Sequence, residues 1–287
     1  MHDLSIDRFS LHQFSNRESI RFSIEDYSRL KYGSGTVGKQ FGRELAEAFY
    51  NKYYELLYSK QLVVTESAYQ YMRNAASLIT DEFISRLNEL ISEMNGNFIH
   101  RTKINRHLPY IADYGKVSLK KRVKLLEQDC FTFDAEYCKD KFIIFIDDIF
   151  ITGTHQKKIE EMVTSYGVDK SNCMCVYYAE LLNPEEDPTI ESYLNSAFIE
   201  KLSDLKTLIE NDSDYQVIVR TAKMILGWKS ASDVEYLMQS INLNLVKTIY
   251  RMSLGEGYYK NPAYSKNFSI MRDAAKKNAL ILELQTT

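Results

Sequence analysis

Two adjacent carboxylates, Asp147 and Asp148, precede Thr152, Gly153 and Thr154 in the run "FIIFIDDIFITGTHQKKIEEM", residues 142 to 162. Paired acids suit the vicinal hydroxyls of a ribose, or a magnesium ion bridging a sugar and a diphosphate. The glycine turn suits an anion. Its backbone N–H groups and the hydroxyls of Thr152 and Thr154 would face a phosphate at the start of a helix. The helix dipole favours that charge by about 0.3–1 kcal/mol. Together the two features fit a ribose 5-phosphate, with its phosphate in the turn and its hydroxyls on the acids. The plainer alternative is an acidic strand end followed by an ordinary helix cap at Thr154.

These groups must be delivered by a strand and received by a helix. Five successive apolar residues, Phe142 to Ile146, predict a strand buried on both faces that ends at the two acids. A helix follows through Ile159, Met162 and Val163, and "NCMCVYYAEL" predicts another strand. Upstream, Val37, Phe41, Leu45, Ala48 and Phe49 recur at helical spacing, "QLVVTESA" reads as a strand entering a loop, and Ala75 to Met94 carry a second helical pattern. "NFIHRTKI" alternates like a strand, and a helix is expected from Ser118 through Leu119, Val123 and Leu126. The alternation predicts an α/β protein with a doubly wound, mostly parallel sheet. It divides the chain into an N-terminal segment 1–35, an α/β domain 36–182 and a mainly helical C-terminal cap 183–287. In open α/β sheets ligands sit beyond the carboxyl ends of the strands, where the acids and the turn fall.

A second glycine run competes for the phosphate. "GSGTVGKQ", residues 33 to 40, matches both G-x-G-x-x-G and the first seven positions of a P-loop. Either motif needs a buried strand before it, and "SIEDYSRLKY" does not read as one. A P-loop also needs Ser or Thr after its lysine, where this chain has Gln40. The run is therefore expected to be a flexible glycine turn entering a helix.

Composition narrows the classes further. With 287 residues and a formal net charge of -3, the chain gives no global sign of nucleic-acid or membrane binding. No secretory signal or membrane-length apolar run stands out, so a cytoplasmic location is expected. The four cysteines, Cys130, Cys138, Cys173 and Cys175, lack zinc-site spacing, and Cys173 and Cys175 should share one strand face.

The 142–155 stretch resembles the phosphoribosyl-pyrophosphate (PRPP) motif of the type I phosphoribosyltransferases, an apolar run followed by D/E-D-x-x-x-T-G-x-T/S. The resemblance implies that the chain binds PRPP with magnesium and transfers ribose 5-phosphate to an acceptor. It places Asp147 and Asp148 as catalytic, sugar-binding and magnesium-associated acids, and Thr152, Gly153, Thr154 and His155 as the phosphate cradle. His155 stands where the family usually has Thr or Ser. Ile151 stands where hypoxanthine-guanine enzymes carry an acid, which argues against purine salvage using that acid. By position, Thr65, Glu66, Ser67 and Ala68 take the place of the pyrophosphate loop. The basic stretch after "NFIHRTKI", with Arg101, Lys103, Arg106, His107 and Lys116, takes the place of the catalytic flap. Taken with "DYSRLKYGSGTVGKQFGRELA" and "NRHLPYIADYGK", the chain resembles a branch found in bacterial stress and defence gene clusters, including tellurium-resistance clusters and retrons. That branch implies a rival role, a PRPP-sensing or interaction component without turnover. A protein partner, or self-association through "DAAKKNALILELQTT", belongs with it.

Overall fold

A computed structural model describes residues 5–107 and 131–276. The expected helix from Ser118, together with Lys116, Cys130 and the tail beyond Lys276, lies outside the described residues.

The first described strand, β1 (Asp7–Phe14), falls in the polar stretch for which the sequence predicted no strand. Then come α1 (Ile24–Lys31), α2 (Gly35–Ser59), β2 (Leu62–Glu66) and α3 (Ala75–Ser92). Two-residue strands β3 (His100–Arg101), β4 (Asn105–Arg106) and β5 (Phe131–Thr132) precede a short α4 (Ala135–Cys138). β6 (Phe142–Phe150), α5 (Thr154–Ser165) and β7 (Cys173–Leu181) complete the α/β part. The C-terminal part is helical: α6 (Ile190–Ser196), α7 (Leu202–Asn211), α8 (Val219–Leu226), α9 (Ala231–Ser240), α10 (Leu243–Gly255) and α11 (Ser265–Lys276).

Five strands form one sheet in the order β1-β7-β6-β2-β3, and every pairing in it is parallel. β4 and β5 pair separately and antiparallel. Side chains alternate across a strand, so each central strand feeds two cores. Val64, Ile144, Ile146 and Val176 face α2 and α3 through Phe41, Leu45, Ile79 and Phe83. Val63, Ile143, Phe145 and Tyr177 face α5 through Ile159, Met162 and Val163. Cys173 and Cys175 share this second face and are buried free thiols, as their spacing predicted. The helical part has its own core, built on Leu205, Ile225, Leu237, Val246, Ile249 and Met271.

The sheet edge explains why β1 escaped notice. Its eight residues, DRFSLHQF, bury only Phe9 and Phe14 fully, because one edge of the strand pairs with β7 and the rest is partly open. An edge strand needs little apolar sequence to be held by its backbone ladder.

Of the glycines at 33 to 40, Gly33 makes the expected turn into α2 with φ +106°, whereas the other two lie inside the helix. Ser34 caps α2 by accepting from the Val37 N–H, and Gly35 and Gly38 are helical. A Cβ on Gly38 would lie 2.6 Å from Leu78 Cβ, and one on Gly42 would lie 2.5 Å from the Ile79 carbonyl oxygen. Gly38 thus lets α2 press directly on α3, while a Cβ on Gly33 or Gly35 would meet the carbonyl oxygen of Gln216 or Asp214, at 2.1 and 2.0 Å. This is a packing requirement, and it reads like a binding motif only because both need an absent side chain.

Candidate functional site

β6 continues past the acids to Phe150 rather than ending at them. Strand geometry at this point divides the pair. Successive side chains point to opposite faces, so the two adjacent acids meet different side chains at closest approach. Asp148 turns towards α1, where Lys31 Nζ donates to its Oδ2 at 2.6 Å and the Tyr27 hydroxyl donates to the same oxygen. Asp147 turns towards α5, where His155 Nδ1 lies 2.9 Å from its Oδ2. The Asp147 Oδ1 accepts from the Asp148 N–H at 2.9 Å.

The two acids are consequently tuned in opposite directions. Burial works to raise the pKa of Asp147, but His155, Ser67 and Lys31 outweigh it and hold the acid below the usual carboxylate range. For Asp148, burial is the largest influence and the Asp147 charge adds to it. The opposing pull of Lys31 and Tyr27 is smaller, so the net shift is upward. Two neighbouring carboxylates pushed apart in this way are a common mark of a functional pair.

Beyond Phe150 the chain turns through Thr152 and Gly153 into α5. Gly153 has φ +69°, the left-handed region that favours glycine, and a Cβ there would also meet the Phe150 ring at 3.1 Å. No side chain caps this helix, and the Thr152 and Thr154 hydroxyls lie 2.9 Å apart beside its first turn. The cap is thus Gly153 rather than Thr154. His155 sits in the first helical turn, directed at Asp147.

A cleft of about 630 Å³ opens over these groups. Asp147, Asp148, Thr152, Gly153, Thr154 and His155 all line it. Of the four residues expected as a pyrophosphate loop, Ser67 lines the cleft, together with Asn74 and Ala75 at the start of α3. Thr65 and Ala68 are buried away from it. Glu66 is buried and paired with Arg101 at 2.7 Å.

The expected flap residues described by the structure are also turned elsewhere. Arg101 spans Glu66 and Asp81, at 2.7 and 2.6 Å. Lys103 donates to the Gln70 carbonyl at 2.9 Å and lies 4.2 Å from the Tyr69 ring centre. Arg106 is buried beside Phe131, and His107 contacts the Thr132 hydroxyl at 2.8 Å. None of these four side chains lines the cleft.

Its cations come from places the sequence did not mark. Lys31 belongs to α1, and Arg220 and Lys223 belong to α8. The C-terminal part adds Met224, Trp228 and Tyr264, and Glu191 and Glu200 lie on the same wall. The helical part is therefore a wall of the site. Lys31 lies inside a quoted motif, but no local signal announces its pairing with a residue 117 positions away.

The donor set does not fit a resident magnesium ion held directly by the two acids. Each carboxylate already meets a basic partner, and they face opposite sides of the sheet.

The parallel sheet, the acids at the carboxyl end of a central strand and the glycine turn into α5 together define an α/β protein of the phosphoribosyltransferase-like class. The PRTase ComF-like family matches residues 6–271, and the chain belongs to that family. Among solved structures it is similar to a hypoxanthine phosphoribosyltransferase from Staphylococcus aureus in two crystal forms. The orthorhombic form is 16% identical over 55% of this chain and 65% of that one, just under two thirds of its length, with a TM-score of 0.29. The tetragonal form is 15% identical over 51% and 76%, with a TM-score of 0.31. No curated protein matches the chain. Among the described residues no helix is long and apolar enough to cross a membrane.

Proposed function

We propose that the cleft binds PRPP and that the protein transfers its ribose 5-phosphate to an acceptor, releasing pyrophosphate. The observation that carries this reading is the uncapped start of α5 behind Gly153, opening into the same cleft as Asp147 and Asp148. The turn offers backbone donors, the helix dipole and two hydroxyls to the 5-phosphate. The acids offer acceptors to the ribose hydroxyls.

In the reaction, the bond between the anomeric carbon and the pyrophosphate oxygen breaks, and its electron pair leaves with pyrophosphate. A nucleophilic atom of the acceptor supplies the pair for the new bond. Positive charge develops on the sugar and negative charge on the leaving group. The ionised Asp147 carboxylate suits the first, and cations lining the cleft suit the second. Holding the phosphate at one end fixes the sugar in a reactive pose. Magnesium enters this proposal as a companion of the diphosphate ligand.

One observation favours a second reading, binding without turnover. Lys31 lies against Asp148 and His155 against Asp147, so both acids already have side-chain neighbours before any sugar enters. A sensing role in bacterial stress or defence assemblies goes with that reading and rests on the sequence resemblance alone.

Calorimetric titration with PRPP and magnesium, followed by a pyrophosphate-release assay over a pool of acceptors, separates the outcomes. Binding with acceptor-dependent release is expected. Binding without release would favour the receptor, and no binding would overturn both readings.

A further inference from the structure

Among the described residues, the cations expected to meet the diphosphate are committed elsewhere, yet a phosphoribosyl diphosphate needs cations at its second anionic end. The loop between β2 and α3 cannot supply that charge with all of its own backbone donors. The N–H groups of Tyr71 and Met72 donate to the buried Glu256 carboxylate, at 2.9 and 2.6 Å. Met72 itself is buried within the core of the helical part. The loop is thus held by the C-terminal helices, and one link places α8 directly on it. The Val219 N–H donates to the Arg73 carbonyl at 3.0 Å.

That bond sets the next residue, Arg220, in the wall beside Asn74 and Ala75. Arg220 is half-buried. Arg8, Arg17, Arg29, Arg43, Arg73 and Arg86 are each paired with a carboxylate. Arg220 makes no such ion pair among the described residues, although Glu191 and Glu200 line the same cleft. Its charge nonetheless acts on the Tyr27 hydroxyl that serves Asp148. A planar guanidinium with five donors matches phosphate oxygens better than any other side chain.

We propose that Arg220, carried by the helical C-terminal part, binds the diphosphate of the phosphoribosyl ligand, a role that the described side chains of Arg101, Lys103 and Arg106 do not fill. The inference rests on the PRPP reading of the cleft. It makes α8 part of the binding machinery and ties occupancy of the cleft to docking of the helical part.

Ribose 5-phosphate and PRPP share the sugar and its 5-phosphate and differ at the diphosphate, so the pair of ligands isolates this contact. Wild type, Arg220→Met and Arg220→Lys are titrated with each compound at fixed magnesium, after circular dichroism confirms that the variants are folded. PRPP affinity should fall about tenfold or more in Arg220→Met and by less in Arg220→Lys, a loss typical of one charge-assisted contact. Ribose 5-phosphate affinity should stay within about twofold in both. Equal losses for the two ligands would make Arg220 structural and overturn the inference, as would an unchanged PRPP affinity. If wild type binds neither compound, the PRPP reading fails and this assignment fails with it. If wild type binds both while the variants match it, the assignment fails alone.

Discussion

The segment after β3 and the face of α8 carry the same kinds of cation, and the fold uses them differently. Arg101, Lys103 and Arg106 stand together in the sequence and face a buried acid, a carbonyl and an aromatic ring. Arg220 and Lys223 stand in an unremarkable helix and face the cleft. Lys31 joins them from α1, 117 positions from the acid it meets. Clustering of charge among Arg101, Lys103 and Arg106 therefore did not forecast clustering of charge around the cleft. What decides the outcome is which element carries the cation and what that element packs against. Arg101 packs against Glu66 and Asp81, whereas α8 brings its cations to the cleft that the Gly153 turn also lines.

The sharpest way to break this contrast is at Lys31. Lys31→Met removes the ammonium from a buried carboxylate, leaving only the Tyr27 hydroxyl on that oxygen. Urea unfolding should show a loss of about 3–5 kcal/mol, the usual consequence of breaking a buried pair from one side. A loss below about 1 kcal/mol would instead describe a solvated surface pair and separate Lys31 from the cleft cations.

Arg101→Met should cost less, about 2–3 kcal/mol, because Arg101 is partly exposed although Glu66 behind it is buried. PRPP affinity should remain at the wild-type value in the same variant. A tenfold weaker affinity would return the basic segment to the site and erase the contrast with α8.

The smallest effect concerns the acids. The pKa of Asp147 is lowered on folding, so its contribution to stability is present above the unfolded value of about 3.9 and is lost as pH falls towards the folded value. Asp148 is shifted upward, so above the unfolded value its stability contribution falls as pH rises through the folded one. Urea unfolding of Asp147→Asn should show a shallower loss between about pH 4 and pH 2 than wild type, by at most about 1.4 kcal/mol per pH unit. An identical profile would remove Asp147 as the ionised member of the pair.

Much of the α/β part could be read from the chain because its strands are buried on both faces and its helices carry clear apolar stripes. β6, β7, α2 and α3 announce themselves in this way. β1 did not, since an edge strand held by a neighbour's backbone needs few apolar residues. The glycine run is not a phosphate loop, and its use in packing depends on distant segments, Leu78 of α3 for Gly38 and the Asp214–Gln216 backbone for Gly33 and Gly35.

For the site, local sequence determined the order of groups along one strand and one turn: two acids, then Thr152-Gly153-Thr154, then a helix. Those contacts lie within a dozen residues, and backbone geometry alone carries them. Tertiary structure decided everything that depends on distant segments. It sent the two acids to opposite faces with Lys31 and His155 as partners, tied down Arg101, Lys103 and Arg106, and brought α8 to the cleft beside the turn. Charge neutralisation and burial depend on which surfaces meet, and that is settled when the sheet, α1 and the C-terminal helices pack together.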